Sequence, residues 1–250
     1  MTVENNKIIK MTFWELISSN DVKGILIPII QRDYAQGREG KDFIRKNLLE
    51  QLMEALDPTK GKSEEPTELD FVYGTEKDGY ILPLDGQQRL TTLWLFYWFV
   101  AYKSDNLKKN KDIFKKFSYE TRTSAREFCE KLCELVSMES DNKTNKPKNI
   151  SEHIKNQPWF YSVWSQDPTV DSMLRMISGE KDKDNDCIEK VVKKFKKEEK
   201  DREREYFDKF WKNLTINDCP IKFNFLKISS DKIRESDDLY IKMNARGKPL

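Results

Sequence analysis

The sequence predicts an α/β (α+β) protein with a large, mainly helical middle region. Three observations carry that expectation. Short apolar, β-branched segments occur in the first hundred residues, as in "GILIPII" and "LDFVYGTEKDGYILPL". From about Ser104 charged segments of helical period take over. After Pro220 strand character returns in "IKFNFLKI" and "DLYIKM". The implied division is residues 1–104 as an α/β core, 105–219 as a helical insertion or subdomain, and 220–250 as strands returning to the core.

Taken in order, "MTFWELISS" places Thr12 three residues before Glu15, a capping-box spacing that predicts a short helix. "GILIPII" is a strand whose proline suits an edge or a strand start, and it runs into the polar loop "QRDYAQGREG". "KDFIRKNLLEQLMEAL" predicts an amphipathic helix burying Phe43, Ile44, Leu48, Leu49, Leu52 and Leu56. "DPTKGKSEEPTE" is a loop, and the next segment is a hairpin of two short strands around Glu76-Lys77-Asp78-Gly79. Leu90 to Tyr102 is an apolar helix. Farther on, Thr123 or Ser124 should cap a helix, and Pro168 suits the first turn of another. A chain that stops just after "NARGKPL" reads as a truncated piece of something longer.

Composition narrows the chemistry. Lys and Arg total 45 against 43 Asp and Glu, a net charge of +2, so affinity for nucleic acid would need a local patch. The 6 Trp, 14 Phe and 9 Tyr exclude a disordered chain. The 4 cysteines form no C-x-x-C pair and no signal-peptide pattern opens the chain, so a reduced, cytoplasmic setting is expected. The longest apolar run, Leu93 to Tyr102, is too short for a membrane span. His153 is the only histidine, which removes H-E-x-x-H zinc sites, Ser-His-Asp triads and His-centred nuclease motifs. It is expected at the surface or at a helix start. Cys129 and Cys133, and the aromatics Trp159, Phe160, Tyr161 and Trp164, read as core. No P-loop or dinucleotide fingerprint is present.

Three polar strings each follow a strand. In the first, Asp85 to Arg89, Leu84 ends a strand and Leu90 begins a helix. Asp85 is expected to cap that helix, with Gln88 reaching back as in a capping box. Gly86 removes a side chain where a ligand would approach the backbone. The uncapped N–H groups of the first turn form an anion site, and Arg89 adds a fork suited to phosphate. The alternative is a buried helix whose Gln and Arg satisfy neighbouring backbone; capping explains Asp85 and Gln88 without a ligand. The second string is Gln31-Arg32-Asp33-Tyr34. If its strand runs parallel to, or beside, the one ending at Leu84, both strings lie at one sheet edge, where α/β folds bind ligands. The third is Asn244-Ala245-Arg246-Gly247, a tight turn with another arginine.

"IPIIQRDYAQG", "FVYGTEKDGYILPLDGQQRLTTL" and "YIKMNARGKPL" together resemble the N-terminal domain family of GmrSD-type modification-dependent restriction endonucleases. The resemblance implies a ParB/sulfiredoxin-like core and a role in bacterial defence against phage or foreign DNA, with nucleoside triphosphate binding or hydrolysis coupled to DNA cleavage. It implies that Asp85, Gly86, Gln87, Gln88 and Arg89 form a nucleotide or phosphate site, with Gln31 and Arg32 beside it and Asn244, Arg246 and Gly247 completing it. In many relatives a His-dependent nuclease domain follows, and that activity cannot come from these residues.

The leading expectation is therefore a nucleotide-binding, NTP-hydrolysing regulatory domain of a restriction system. Asp85 would hold Mg2+ or orient a water, acting with Gln88 and Arg89 in catalysis. Its partners would be a nucleoside triphosphate, modified or foreign DNA, and a C-terminal or separate nuclease domain. Two rivals use the same residues differently: a DNA-binding or nicking ParB-like nuclease module, and a non-catalytic scaffold.

Overall fold

The computed structural model describes residues 8–28, 32–57, 67–136, 147–179, 186–196 and 203–228. Of the sequence-predicted site residues, Gln31, Asn244, Arg246 and Gly247 lie outside the described residues, as does the strand expected at "DLYIKM".

Six strands form one mixed sheet: β1 (Ile8–Met11), β2 (Gly24–Ile27), β3 (Thr67–Lys77), β4 (Tyr80–Asp85), β5 (Phe117–Tyr119) and β6 (Ile221–Ile228). Their order is β1-β6-β3-β4-β2-β5. The pairs β1/β6 and β3/β4 are antiparallel, whereas β2/β4, β2/β5 and β3/β6 are parallel. Thus β6, far along the chain, lies between β1 and β3, and β5 from the helical middle extends the other edge. The hairpin closes on Asp78 and Gly79 alone. Both have positive φ, 53° and 83°, the backbone a two-residue turn demands of an Asp-Gly pair. Its strands are longer than expected because β3 runs on to pair with β6.

The helices are α1 (Phe13–Ser18), α2 (Asp42–Leu56), α3 (Gln87–Lys103), α4 (Leu107–Phe114), α5 (Thr123–Leu132), α6 (Ile150–Lys155), α7 (Pro168–Ser178), α8 (Ile188–Phe195) and α9 (Glu203–Thr215). Helix α1 starts with the expected capping box. The Glu15 N–H donates to Thr12 Oγ1 at 3.0 Å, and the Thr12 N–H donates to the Glu15 carboxylate at 2.7 Å. In α7, Asp167 caps the helix and Pro168 occupies its first turn, where a missing N–H costs nothing. Helix α5 departs from expectation: Arg122 stands at its N-cap and gives it no side-chain capping bond, and Ser124 instead donates to the Asp167 carboxylate.

Helix α3 is the centre of the core. Every residue from Leu90 to Tyr102 is buried. Its polar aromatic groups still find partners. Trp94 Nε1 donates to the Phe114 carbonyl at 3.1 Å, Trp98 Nε1 to Leu132 at 2.8 Å, and the Tyr97 hydroxyl to Leu214 at 3.1 Å. Because burying such a donor unpaired is expensive, these three bonds fix the rotation of α3 as well as its depth.

Helix α2 buries the expected leucine face, with Leu48 half-buried beside it, but not its expected first turn. Leu49, Leu52, Met53 and Leu56 are inside, but Phe43 and Ile44 are exposed and Arg45 is buried in their place. Residues 45, 49, 52, 53 and 56 follow one stripe at helical spacing, and 43 and 44 lie off it. Among the other expectations, Cys129 and Cys133 do sit in the core. His153 is buried rather than superficial, its Nε2 3.0 Å from the Val136 carbonyl. Trp164 is buried, whereas Tyr161 is exposed and touches it edge-on. Among the described residues no helix is long and apolar enough to cross a membrane.

Candidate functional site

Strands β2 and β4 are parallel neighbours, so their C-terminal ends open onto the same sheet edge. The loop after β2 carries Arg32 and Asp33; the turn after β4 carries Asp85 to Arg89. The two strings that sequence reasoning placed together conditionally are therefore side by side.

Gln88 joins them. Its Oε1 accepts from the Ala35 N–H at 2.8 Å, and its Nε2 donates to the Asp33 carbonyl at 2.9 Å. The side-chain amide thus pairs with the loop backbone as a neighbouring strand would, using both its donor and its acceptor. This replaces the expected capping box, because an amide committed to the loop cannot reach back to its own helix.

Asp85 does not cap α3 either. It is the last residue of β4, opposite Tyr73, and the N-cap is Gly86 with no side-chain cap bond. Gly86 has φ +86°, and a Cβ there would lie 2.9 Å from Val72 Cγ2. The glycine is needed for a left-handed turn packed against the core. Among the described residues, nothing caps the first-turn N–H groups of α3, and the Asp85 carboxylate makes no hydrogen bond or ion pair. Gln87 contributes a buried Oε1 with no hydrogen-bond partner.

Arg89 faces β3. Relative to β6, β3 carries one extra residue between Leu69 and Val72, a bulge that frees the Phe71 carbonyl from the ladder. Arg89 Nη2 donates to that carbonyl at 2.8 Å. Its Nη1 lies 3.2 Å from the Asp70 carboxylate, an ion pair without hydrogen-bond alignment. Asp70 is 92% exposed, so water screens that pair.

Several residues that hold the site were missed by sequence reasoning. Thr91 and Thr92 are fully buried hydroxyls on α3. Thr92 Oγ1 pairs with the Tyr34 hydroxyl at 2.8 Å and donates to Gln36 Oε1; Thr91 Oγ1 is 3.0 Å from the Tyr119 hydroxyl. Burial drives both phenols well above the ordinary tyrosine value, so they stay neutral donors. Asp33 is held between Arg38, at 2.9 Å, and Arg122. Arg45 donates to the carbonyls of Gln36 and Arg38, both at 3.1 Å, and pairs with the buried Asp186. Gly37 permits the loop to rest on α7, since a Cβ there would fall 1.7 Å from the Ser172 carbonyl oxygen. Adjacent threonines in a helix otherwise apolar were the available signal, because buried hydroxyls require partners. Arg32 is exposed.

The family model described as "GmrSD restriction endonuclease, N-terminal domain" matches residues 13–250. The chain belongs to this family. The match takes in the described parts of both motif strings and extends past the last described residue to the third string. As a GmrSD N-terminal domain it is a component of a restriction, phage-defence protein. No curated protein matches the chain. In this GmrSD domain the DGQQR string divides its labour: Gln88 and Arg89 fasten the loop after β2 and the bulged strand β3 to α3, while Asp85 and the helix start remain without described partners.

Proposed function

We propose that this domain binds a nucleoside triphosphate, with its phosphates at the first turn of α3, and through it regulates a DNA-restriction activity. The observation that carries the reading is the uncapped start of α3, held beside the loop after β2 by the Gln88 bridge. First-turn N–H groups without a cap among the described residues, at the positive end of a 17-residue helix, favour an anion. Arg32, exposed on the adjoining loop, supplies a cation, and Arg89 keeps donors beyond the one given to Phe71. Gln31, Asn244, Arg246 and Gly247 enter the proposal by sequence alone.

Among the described residues no three His, Cys, Asp or Glu side chains cluster as a metal cage. One carboxylate that has no partner among the described residues, Asp85, fits Mg2+ held chiefly by phosphate oxygens and water. The ion would neutralise phosphate charge; Asp85 would hold it, and the helix start and arginines would orient the phosphates for attack by water. In this reading the core is ParB/sulfiredoxin-like, its paired strand ends forming the ligand edge, and the target of the regulated activity is DNA cut by a partner nuclease domain.

The test is calorimetric titration of the folded protein with ATP and GTP in Mg2+, followed by phosphate release. Binding that weakens at least tenfold in Arg32→Ala and loses its Mg2+ dependence in Asp85→Asn is the expected result. Absence of binding to either nucleotide overturns the proposal. DNA binding by the same arginines is the rival reading, and a steep salt dependence for DNA with no nucleotide affinity would establish it instead.

A further inference from the structure

Phe71 is 41% exposed, and its ring stacks on that of Tyr73, with centroids 6.0 Å apart and planes 21° from parallel. The two residues flank buried Val72, so both rings leave β3 on the side away from the core. An exposed phenylalanine stacked on a half-buried tyrosine is unusual for a strand that could bury it, and the bulge between Leu69 and Val72 is what turns Phe71 outward.

The pair is tied to the turn after β4 at two points. The Phe71 carbonyl holds Arg89, and Tyr73 is the cross-strand partner of Asp85. Strand β3 continues past the end of β4, so Phe71 lies beyond Asp85 at the strand end from which α3 starts, with both rings on the side of β3 opposite Val72. Flat π-faces beside an anion-binding turn suit a molecule with an aromatic ring at one end and phosphates at the other.

We propose that Phe71 and Tyr73 form the stacking surface for the base of the nucleotide whose phosphates sit at α3. This inference rests on the nucleotide reading above and assigns the base-binding part of that site. Stacking without hydrogen-bond readout tolerates any base, so ATP and GTP should depend on the pair alike.

The test compares nucleoside triphosphates with tripolyphosphate, which carries the charge but no base. Wild type, Phe71→Ala/Tyr73→Ala and Phe71→Tyr are titrated with ATP, GTP and tripolyphosphate in Mg2+, after circular dichroism confirms folding. The double variant should lose about 10- to 100-fold in affinity for both nucleotides while tripolyphosphate affinity stays within about twofold. Phe71→Tyr, which keeps the π-face, should bind as wild type does. Equal nucleotide affinity in wild type and double variant overturns the stacking assignment and leaves the nucleotide reading intact. Parallel loss of tripolyphosphate affinity also overturns it, because the rings would then be acting through the position of Arg89. No binding by wild type overturns both.

Discussion

Gln88→Glu tests the bridge between the two motif strings most directly. The substitution keeps the shape and the oxygen that accepts from Ala35, but replaces the donor facing the Asp33 carbonyl with a second oxygen. Leaving that carbonyl without its donor costs about 1–3 kcal/mol. Setting a carboxylate oxygen against it at hydrogen-bond distance adds repulsion, so the total at pH 7 should be about 2–4 kcal/mol. The penalty falls on the charged form only. Protonated, the new side chain can donate its O–H to Asp33 and still accept from Ala35.

At about 1.4 kcal/mol per pKa unit, a 3 kcal/mol penalty raises the introduced carboxyl by roughly two units above its usual 4.3. A raised carboxyl pKa contributes stability that is fully present below the unfolded value and lost as pH rises through the folded one. The deficit relative to wild type should therefore be small at pH 4 and grow to its full size between roughly pH 4.5 and 6.5. Urea unfolding of wild type, Gln88→Glu and Gln88→Met at pH 4.5 and 7.5 measures it, with Gln88→Met giving a deficit of about 1–3 kcal/mol at both pH values. A Gln88→Glu protein as stable as wild type at pH 7.5, or one whose deficit does not change with pH, would refute the bridge.

Gly86→Ala should cost about 2–3 kcal/mol, from the left-handed backbone and the contact with Val72, and Val72→Ala in the same chain should recover part of it in urea unfolding. Arg45→Met or Asp186→Leu alone should each cost about 3–5 kcal/mol by stranding a buried charge, while the double variant should cost less than their sum. Arg89→Met should destabilise by about 1 kcal/mol and Asp70→Asn by less than about 0.5 kcal/mol, since the Phe71 carbonyl, not the exposed carboxylate, is the effective partner. Burial pushes the Cys133 and Cys187 thiols up to about 12, so native protein should resist iodoacetamide at pH 8; by the same sign, the stability they contribute is intact below about pH 8.5 and falls as pH rises toward 12.

The parts of this fold that were legible in the sequence are those set by neighbours in the chain. The Thr12–Glu15 box, the Asp78-Gly79 turn, Pro168 and the apolar run of α3 each depend on a few adjacent residues. The particular partners of residues far apart in sequence were mostly not legible. Nothing near Ile221 announces that β6 will lie between β1 and β3, and nothing near Arg45 announces Asp186. Asp85 and Gln88 were misread for the same reason. Their spacing fits a local cap, but Gln88 gains two backbone bonds from a loop more than fifty residues away, and Asp85 stays in the β4 ladder.

That outcome changes what the helix start is for. A side-chain cap is worth about 1 kcal/mol to a helix; α1, α6 and α7 each have one, whereas α2, α4, α5 and α8, like α3, have none among the described residues. The most buried helix of all has none among the described residues, although Asp85 immediately precedes its N-cap. Gln88 is spent holding the neighbouring loop, and Gly86 replaces a capping side chain with a left-handed turn packed on Val72. Stability alone would favour closing that end. Among the described residues its first-turn N–H groups and the Asp85 carboxylate have no partner and Arg32 is exposed on the adjoining loop, an arrangement that the anion of the proposed reading would complete.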